Sequence, residues 1–134
     1  MTDKKVEKVY VGKRYSPLDC KVWVRIVETD QVDDYVSLKT DEFIGEYEIE
    51  PRLDLRNHAP AGLEWGYEGS GPAQTAIAIA SDHWNDDEQA SALYGIINLK
   101  IIQFLSTEEY LFTDGGHEHW RLPGKLIDGL IGLK

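Results

Sequence analysis

Apolar and polar residues alternate with a period of two through the first third of the chain, and the period lengthens after residue 70. Val6, Val9, Tyr10 and Val11 form a β-rich run closed by Gly12, and Val22, Val24 and Ile26 alternate with Lys21, Trp23 and Arg25. Side chains along a strand point to opposite faces in turn, so this alternation predicts two half-buried strands. Tyr15-Ser16-Pro17-Leu18-Asp19 carries the turn residues that would join them as a hairpin. Residues 28–34 are polar and acidic and read as a solvated loop, after which 35–39 and 43–49 alternate again as short strands. Residues 51–62 hold two prolines, an Asn-His pair and a glycine; they show neither period and predict an ordered loop, followed by a short extended stretch over 63–67.

The helical period begins where Glu68-Gly69-Ser70-Gly71-Pro72 allows a tight turn and a proline in a first helical turn, which sets the start at Ser70 or Gly71. Ala73, Ala76, Ile77, Ala80 and Trp84 then share one face. Asn85 and Asp86, each with an acid or amide three residues on, predict the cap of a second helix over 86–105. Its buried stripe is Ala90, Leu93, Tyr94, Ile97, Ile101, Phe104 and Leu105. Residues 107–112 fit a helical turn or a strand, 113–116 a turn, 118–122 a last strand, and 123–131 a short helix weakened by two glycines. The expected fold class is α+β, a small antiparallel β-sheet packed against an antiparallel pair of α-helices. One domain is expected over 1–134: 1–50 mainly β, 51–70 an ordered loop, 71–105 the helical pair, and 106–134 a turn, a strand and a short helix.

At 134 residues the chain is long enough to bury one core. The formal net charge of −10 disfavours direct nucleic acid binding, because neutralised phosphates supply most of that affinity. Acid is concentrated from Glu28 to Glu50, where nine carboxylates face only Lys39. No apolar run reaches membrane-spanning length, so no membrane partner is expected. The single cysteine, Cys20, and a polar N-terminus point to a reducing cytoplasm, and no cofactor is expected.

Residues 51–74, Pro51-Arg52-Leu53-Asp54-Leu55-Arg56-Asn57-His58-Ala59-Pro60-Ala61-Gly62-Leu63-Glu64-Trp65-Gly66-Tyr67-Glu68-Gly69-Ser70-Gly71-Pro72-Ala73-Gln74, precede an alanine-rich helix and Asp86-Asp87-Glu88. This run resembles the domain-of-unknown-function family numbered 6166, small bacterial and phage proteins whose pattern is LRNHSP, FEWGYGGSGPAQ, an aliphatic helix, a GDDE-like turn and a Leu-Tyr pair. Leu93-Tyr94 completes it, and the likeness covers about residues 50–105. Ala59, Ala61, Glu68 and Asn85 depart from the pattern, and the acidic insert from Glu28 to Glu42 lies outside it. The resemblance implies a phage or mobile-element setting and carries no assigned reaction.

Four constellations could carry chemistry. Arg52, Asp54, Arg56, Asn57 and His58 precede Trp65, Tyr67 and the helix start at Ser70, Gly71 and Gln74, where backbone N–H groups could hold an anion; the plainer reading is a cap and loop bonds. His117 and His119 would share one face of a strand, two ligands where catalytic zinc uses three, so a metal site is not expected. Asp82, His83, Asp86 and Asp87 crowd the helix junction, where capping explains most of them. The acidic stretch, with Glu28, Asp30, Asp33 and Asp34, could meet a protein with a basic surface or serve only solubility. No catalytic signature is present. The sequence therefore points first to a noncatalytic protein-interaction or regulatory module. The alternatives are a small-molecule or anion-binding protein, extending to an enzyme, that uses 52–74, and an acidic mimic of nucleic acid.

Overall fold

The structure, a computed structural model, describes residues 5–16, 19–29, 42–60, 62–107, 111–113 and 116–132. Strands β1 (Lys5–Ser16) and β2 (Asp19–Thr29) pair antiparallel from Lys5↔Thr29 to Ser16↔Asp19. The hairpin outlasts the apolar run that predicts it, continuing past Gly12 through Lys13 and Arg14. Ladder bonds belong to the backbone and tolerate polar side chains wherever a partner strand is in reach. Strand β3 (Gly45–Glu48) adds to the outer side of β2. The predicted strand over 35–39 lies outside the described residues.

The other half of the sheet comes from the far end of the chain. Strands β4 (Leu111–Thr113) and β5 (Gly116–Pro123) pair with each other, and β5 pairs antiparallel with β1, giving the order β3-β2-β1-β5-β4. The register shifts once between β1 and β5, where Gly12 faces Trp120 but Lys13 faces Glu118. A Cβ at Gly12 would overlap the Trp120 indole, so the ring can pack against β1 there only because that position has no side chain.

Helix α1 (Ser70–Trp84) is buried on almost every side: Gly71, Pro72 and each residue from Gln74 to Ser81 are buried. The single face expected from Ala73, Ala76, Ile77, Ala80 and Trp84 is therefore too narrow. Small side chains at 71, 76, 78 and 80 let neighbours close in all round. Asn85 ends α1 in the left-handed region, and Asp86 caps α2 (Asp87–Lys100), its carboxylate accepting from the Gln89 N–H at 3.1 Å. Helix α2 packs on α1 and buries only Ala90 and Ile97 fully.

The predicted last turn of α2 is instead a 3-10 turn, Ile102–Phe104, and the Gly66 N–H donates to Ile102 O at 2.9 Å. The tighter pitch breaks the helical stripe, and Phe104, expected inside, is 76% exposed. A second 3-10 turn, Gly124–Leu126, leads into a single helical turn, α3 (Ile127–Leu130). The main core joins Tyr10, Val22, Val24, Trp120 and Leu122 of the sheet to α1, α2 and Trp65. Val9, Val11 and Val27, with Trp23, form a smaller cluster on the opposite face. The fold is thus α+β, an antiparallel sheet with a packed helical pair.

Candidate functional site

The polar residues of the loop before α1 bond mainly to the protein itself. Arg52 sits in the left-handed region, with φ 58°, and grips two carboxylates. Its Nε and Nη2 reach Asp54 at 3.0 Å each, its Nη1 and Nη2 reach Asp87 at 3.1 Å each, and Nη1 also donates to Ser81 Oγ. The guanidinium holds the Asp54 carboxyl below its usual range by hydrogen bonding. Arg52 thereby ties the loop to the end of α1 and the start of α2. Gln74, wholly buried just past the first turn of α1, also ties the loop down: its Oε1 accepts from the N–H groups of His58 (2.8 Å) and Ala59 (3.2 Å), and its Nε2 donates to Pro51 O at 2.6 Å.

The convergence on Ser70 that an anion site requires does not form. Arg52 reaches Ser81, eleven residues along α1 and therefore about 16 Å from Ser70. The exposed Arg56 donates to the neighbouring Leu55 O at 2.8 Å, and His58 Nε2 hydrogen-bonds the Tyr94 hydroxyl of α2 at 2.8 Å. Asn57 is exposed. Trp65 is wholly buried; its Nε1 donates to His119 Nδ1 at 3.3 Å, its ring meets Trp120 edge-on, and the Arg14 guanidinium lies over it. Ser70 does not cap α1, because Gly69 occupies the cap position and makes no side-chain bond.

Ser70, Gly71 and Tyr67 do border a cleft of about 400 Å³, whose other walls include Cys20, Lys21, Glu48 and Glu64. Glu64 is held by Arg14 through bonds of 2.7 and 3.1 Å. Burial, reinforced by the Glu64 charge, pushes the Cys20 thiol up to about 12, far from nucleophilic. A second cleft, of about 350 Å³, includes Asp82, Ser81, Arg52 and Tyr47. Asp82 there accepts from Tyr10 (2.7 Å), Tyr47 (2.5 Å) and Lys8 (3.2 Å), fastening α1 to β1 and β3. Burial, followed by the charge of Asp82, raises the Tyr10 hydroxyl pKa.

The helix-junction residues divide among separate partners. His83 and Trp84 both bond Asp128 (3.0 and 3.1 Å), while Asp86 caps α2 and Asp87 holds Arg52. His119 belongs to the register shift in β5 and is packed against Trp65, with His117 two residues away opposite Arg14. Among the described residues no group of three or more His, Cys, Asp or Glu could hold a metal ion. Of the acidic candidates, Glu28 is exposed near the end of β2, whereas Asp30, Asp33 and Asp34 lie outside the described residues.

Sequence reasoning missed the outward face of α2. Ala92, Gly95, Ile96 and Leu99 recur at helical spacing and are exposed, Leu99 by 62% and Ile96 by 37%. The available signal was a surplus: these apolar positions fall outside the stripe that α2 needs for its own packing.

A sheet with two packed helices, polar loops fastened inward and an apolar strip left outward defines an α+β domain. The family described as "Family of unknown function (DUF6166)" matches residues 10–131, and the chain belongs to it. No curated protein and no solved structure matches the chain. Among the described residues no helix is long and apolar enough to cross a membrane.

Proposed function

We propose that this chain is a noncatalytic protein-interaction or regulatory module, in the phage or mobile-element setting that the family resemblance implies. The observation that carries the reading is the exposed apolar strip of α2, with Ile96 and Leu99 as its large side chains. Contiguous apolar surface on a small domain is costly to leave in water and commonly marks a contact site. The polar residues that would otherwise suggest binding or catalysis instead spend their hydrogen bonds holding the loop, α1 and α2 together. The net charge of −10 and the exposed Glu42, Glu46, Glu48 and Glu50 favour encounter with a protein bearing a basic surface.

The test is affinity purification from host cells with tagged wild type, Leu99→Glu, and a Glu48→Gln/Glu50→Gln double variant. Wild type should retain a specific partner that Leu99→Glu loses, and the double variant should slow the capture of a basic partner at low salt. Recovery of the same proteins by Leu99→Glu, or of none by wild type, refutes the reading.

A further inference from the structure

We infer that the outward face of α2 pairs with the same face of a second copy of this chain, in antiparallel orientation about a two-fold axis near Gly95. This names the occupant of the α2 strip, read above as a contact face, and rests on that reading; a basic partner would meet the separate acidic residues around β3. Three observations carry it.

The first is Gly95 itself. Glycine inside a helix is less favourable than alanine, because it loses more backbone freedom on folding. Here the fold gives no reason for it: Gly95 has no positive φ, and a Cβ placed there would meet nothing within 4 Å. That contrasts with Gly12 and Gly66, where a side chain would strike Trp120 or Thr107. A glycine that its own fold does not need, in the middle of an exposed apolar strip, is accounted for by another backbone approaching closely at that point. Ala92, one turn earlier on the same face, is also small and exposed.

The second is the order of apolar residues around it. Ala92, Gly95, Ile96 and Leu99 are nearly symmetric about the middle of the strip, so an antiparallel crossing sets Leu99 of each copy beside Ala92 of the other. Large then meets small at both ends, the self-complementary arrangement a two-fold interface requires. Phe104, exposed just beyond the helix, adds apolar surface at the same end as Leu99.

The third is charge. Helix α2 carries Asp87 and Glu88 in its first turn, after the Asp86 cap, and Lys100 in its last. Antiparallel pairing sets the acidic end of each copy beside Lys100 of the other and opposes the two helix dipoles. Parallel pairing would set acid against acid. Because each chain carries −10 overall, added salt screens the repulsion between copies and strengthens the pair. A basic partner would respond in the opposite sense.

Sedimentation equilibrium of the full chain, from 1 to several hundred micromolar and at two salt concentrations, tests this. Wild type should form a dimer that tightens with salt, and Leu99→Glu should weaken it on the order of 100-fold, since two buried leucines become two buried carboxylates. Gly95→Gln should leave the monomer as stable as before, or more so, and still abolish the dimer. Glu88→Lys or Lys100→Glu alone should weaken it roughly tenfold, and the double exchange should restore it, as expected for charges paired across the interface. A wild type that stays monomeric throughout, or a dimer indifferent to Leu99→Glu and Gly95→Gln, overturns the pairing. Monomeric wild type whose host partner is lost in Leu99→Glu would overturn self-pairing while the interaction reading stood; monomeric wild type with a partner unaffected by Leu99→Glu would remove both.

Discussion

Gln74 offers the sharpest test of how the loop before α1 is held. Truncation to alanine strands the N–H groups of His58 and Ala59 and the carbonyl of Pro51, all now served by one amide that is itself wholly buried. A buried group left without a partner costs about 1–3 kcal/mol. His58 is exposed, so water should recover part of that loss on the loop side. Adding the space left by the missing amide gives a net destabilisation of about 2–4 kcal/mol for Gln74→Ala. That is a large part of the stability of a domain this size. Urea denaturation should show a lower midpoint at unchanged slope, and amide exchange at His58 and Ala59 should accelerate more than at Ile77. A loss below about 1 kcal/mol, with both amides protected as in wild type, would refute the clasp. Gln74→Glu sharpens the reasoning. A carboxylate still accepts from both N–H groups but repels Pro51 O, whereas a protonated carboxyl can donate to it. The folded state therefore raises the pKa of the new acid above its unfolded value. The stability this contributes is fully present below the unfolded glutamate pKa and disappears as pH rises through the folded one, so this variant should recover on acidification.

Three further outcomes follow from the same contacts. Gly12→Ala should cost about 1–3 kcal/mol in urea, because the added methyl overlaps a buried indole that cannot retreat cheaply; wild-type stability would show that Trp120 has another place to go. Native Cys20, its thiol pushed up to about 12, should react with a thiol reagent at pH 8 far more slowly than the unfolded chain does; equal rates would contradict its burial. The lowered Asp54 carboxyl, held down by its hydrogen bond to Arg52, stabilises the fold at pH above its unfolded pKa, and that contribution is lost as pH falls through the folded value. An NMR titration should show the shift and its disappearance in Arg52→Met.

Much of this architecture could be read from local pattern, because local pattern is what sets it. The alternation through Val22, Val24 and Ile26 gave β2, and Asp86 with Gln89 three residues later gave the cap of α2. What escaped was decided over long distances. Nothing near residues 116–123 says that they pair with β1, and periodicity cannot show that α1 is enclosed on nearly all sides. In the loop, the sequence identified a dense set of polar residues but not their direction: Arg52 turns to Ser81 and Asp87, and Trp65 leaves the loop for the core. Phe104 lies outside because the helical stripe does not continue past Lys100: the backbone tightens there into a 3-10 turn, and the Gly66 N–H donates to the Ile102 carbonyl.

The central position of β1 has a consequence for how the molecule is made. One of its two neighbours follows within a few residues, but the other, β5, is synthesised only after both helices. During translation the β1–β2 hairpin must therefore wait with one side of β1 unpaired, and Gly12 without the indole that will cover it. The waiting time is set by the ribosome, and until it ends the growing chain offers an open strand edge to any neighbouring nascent chain.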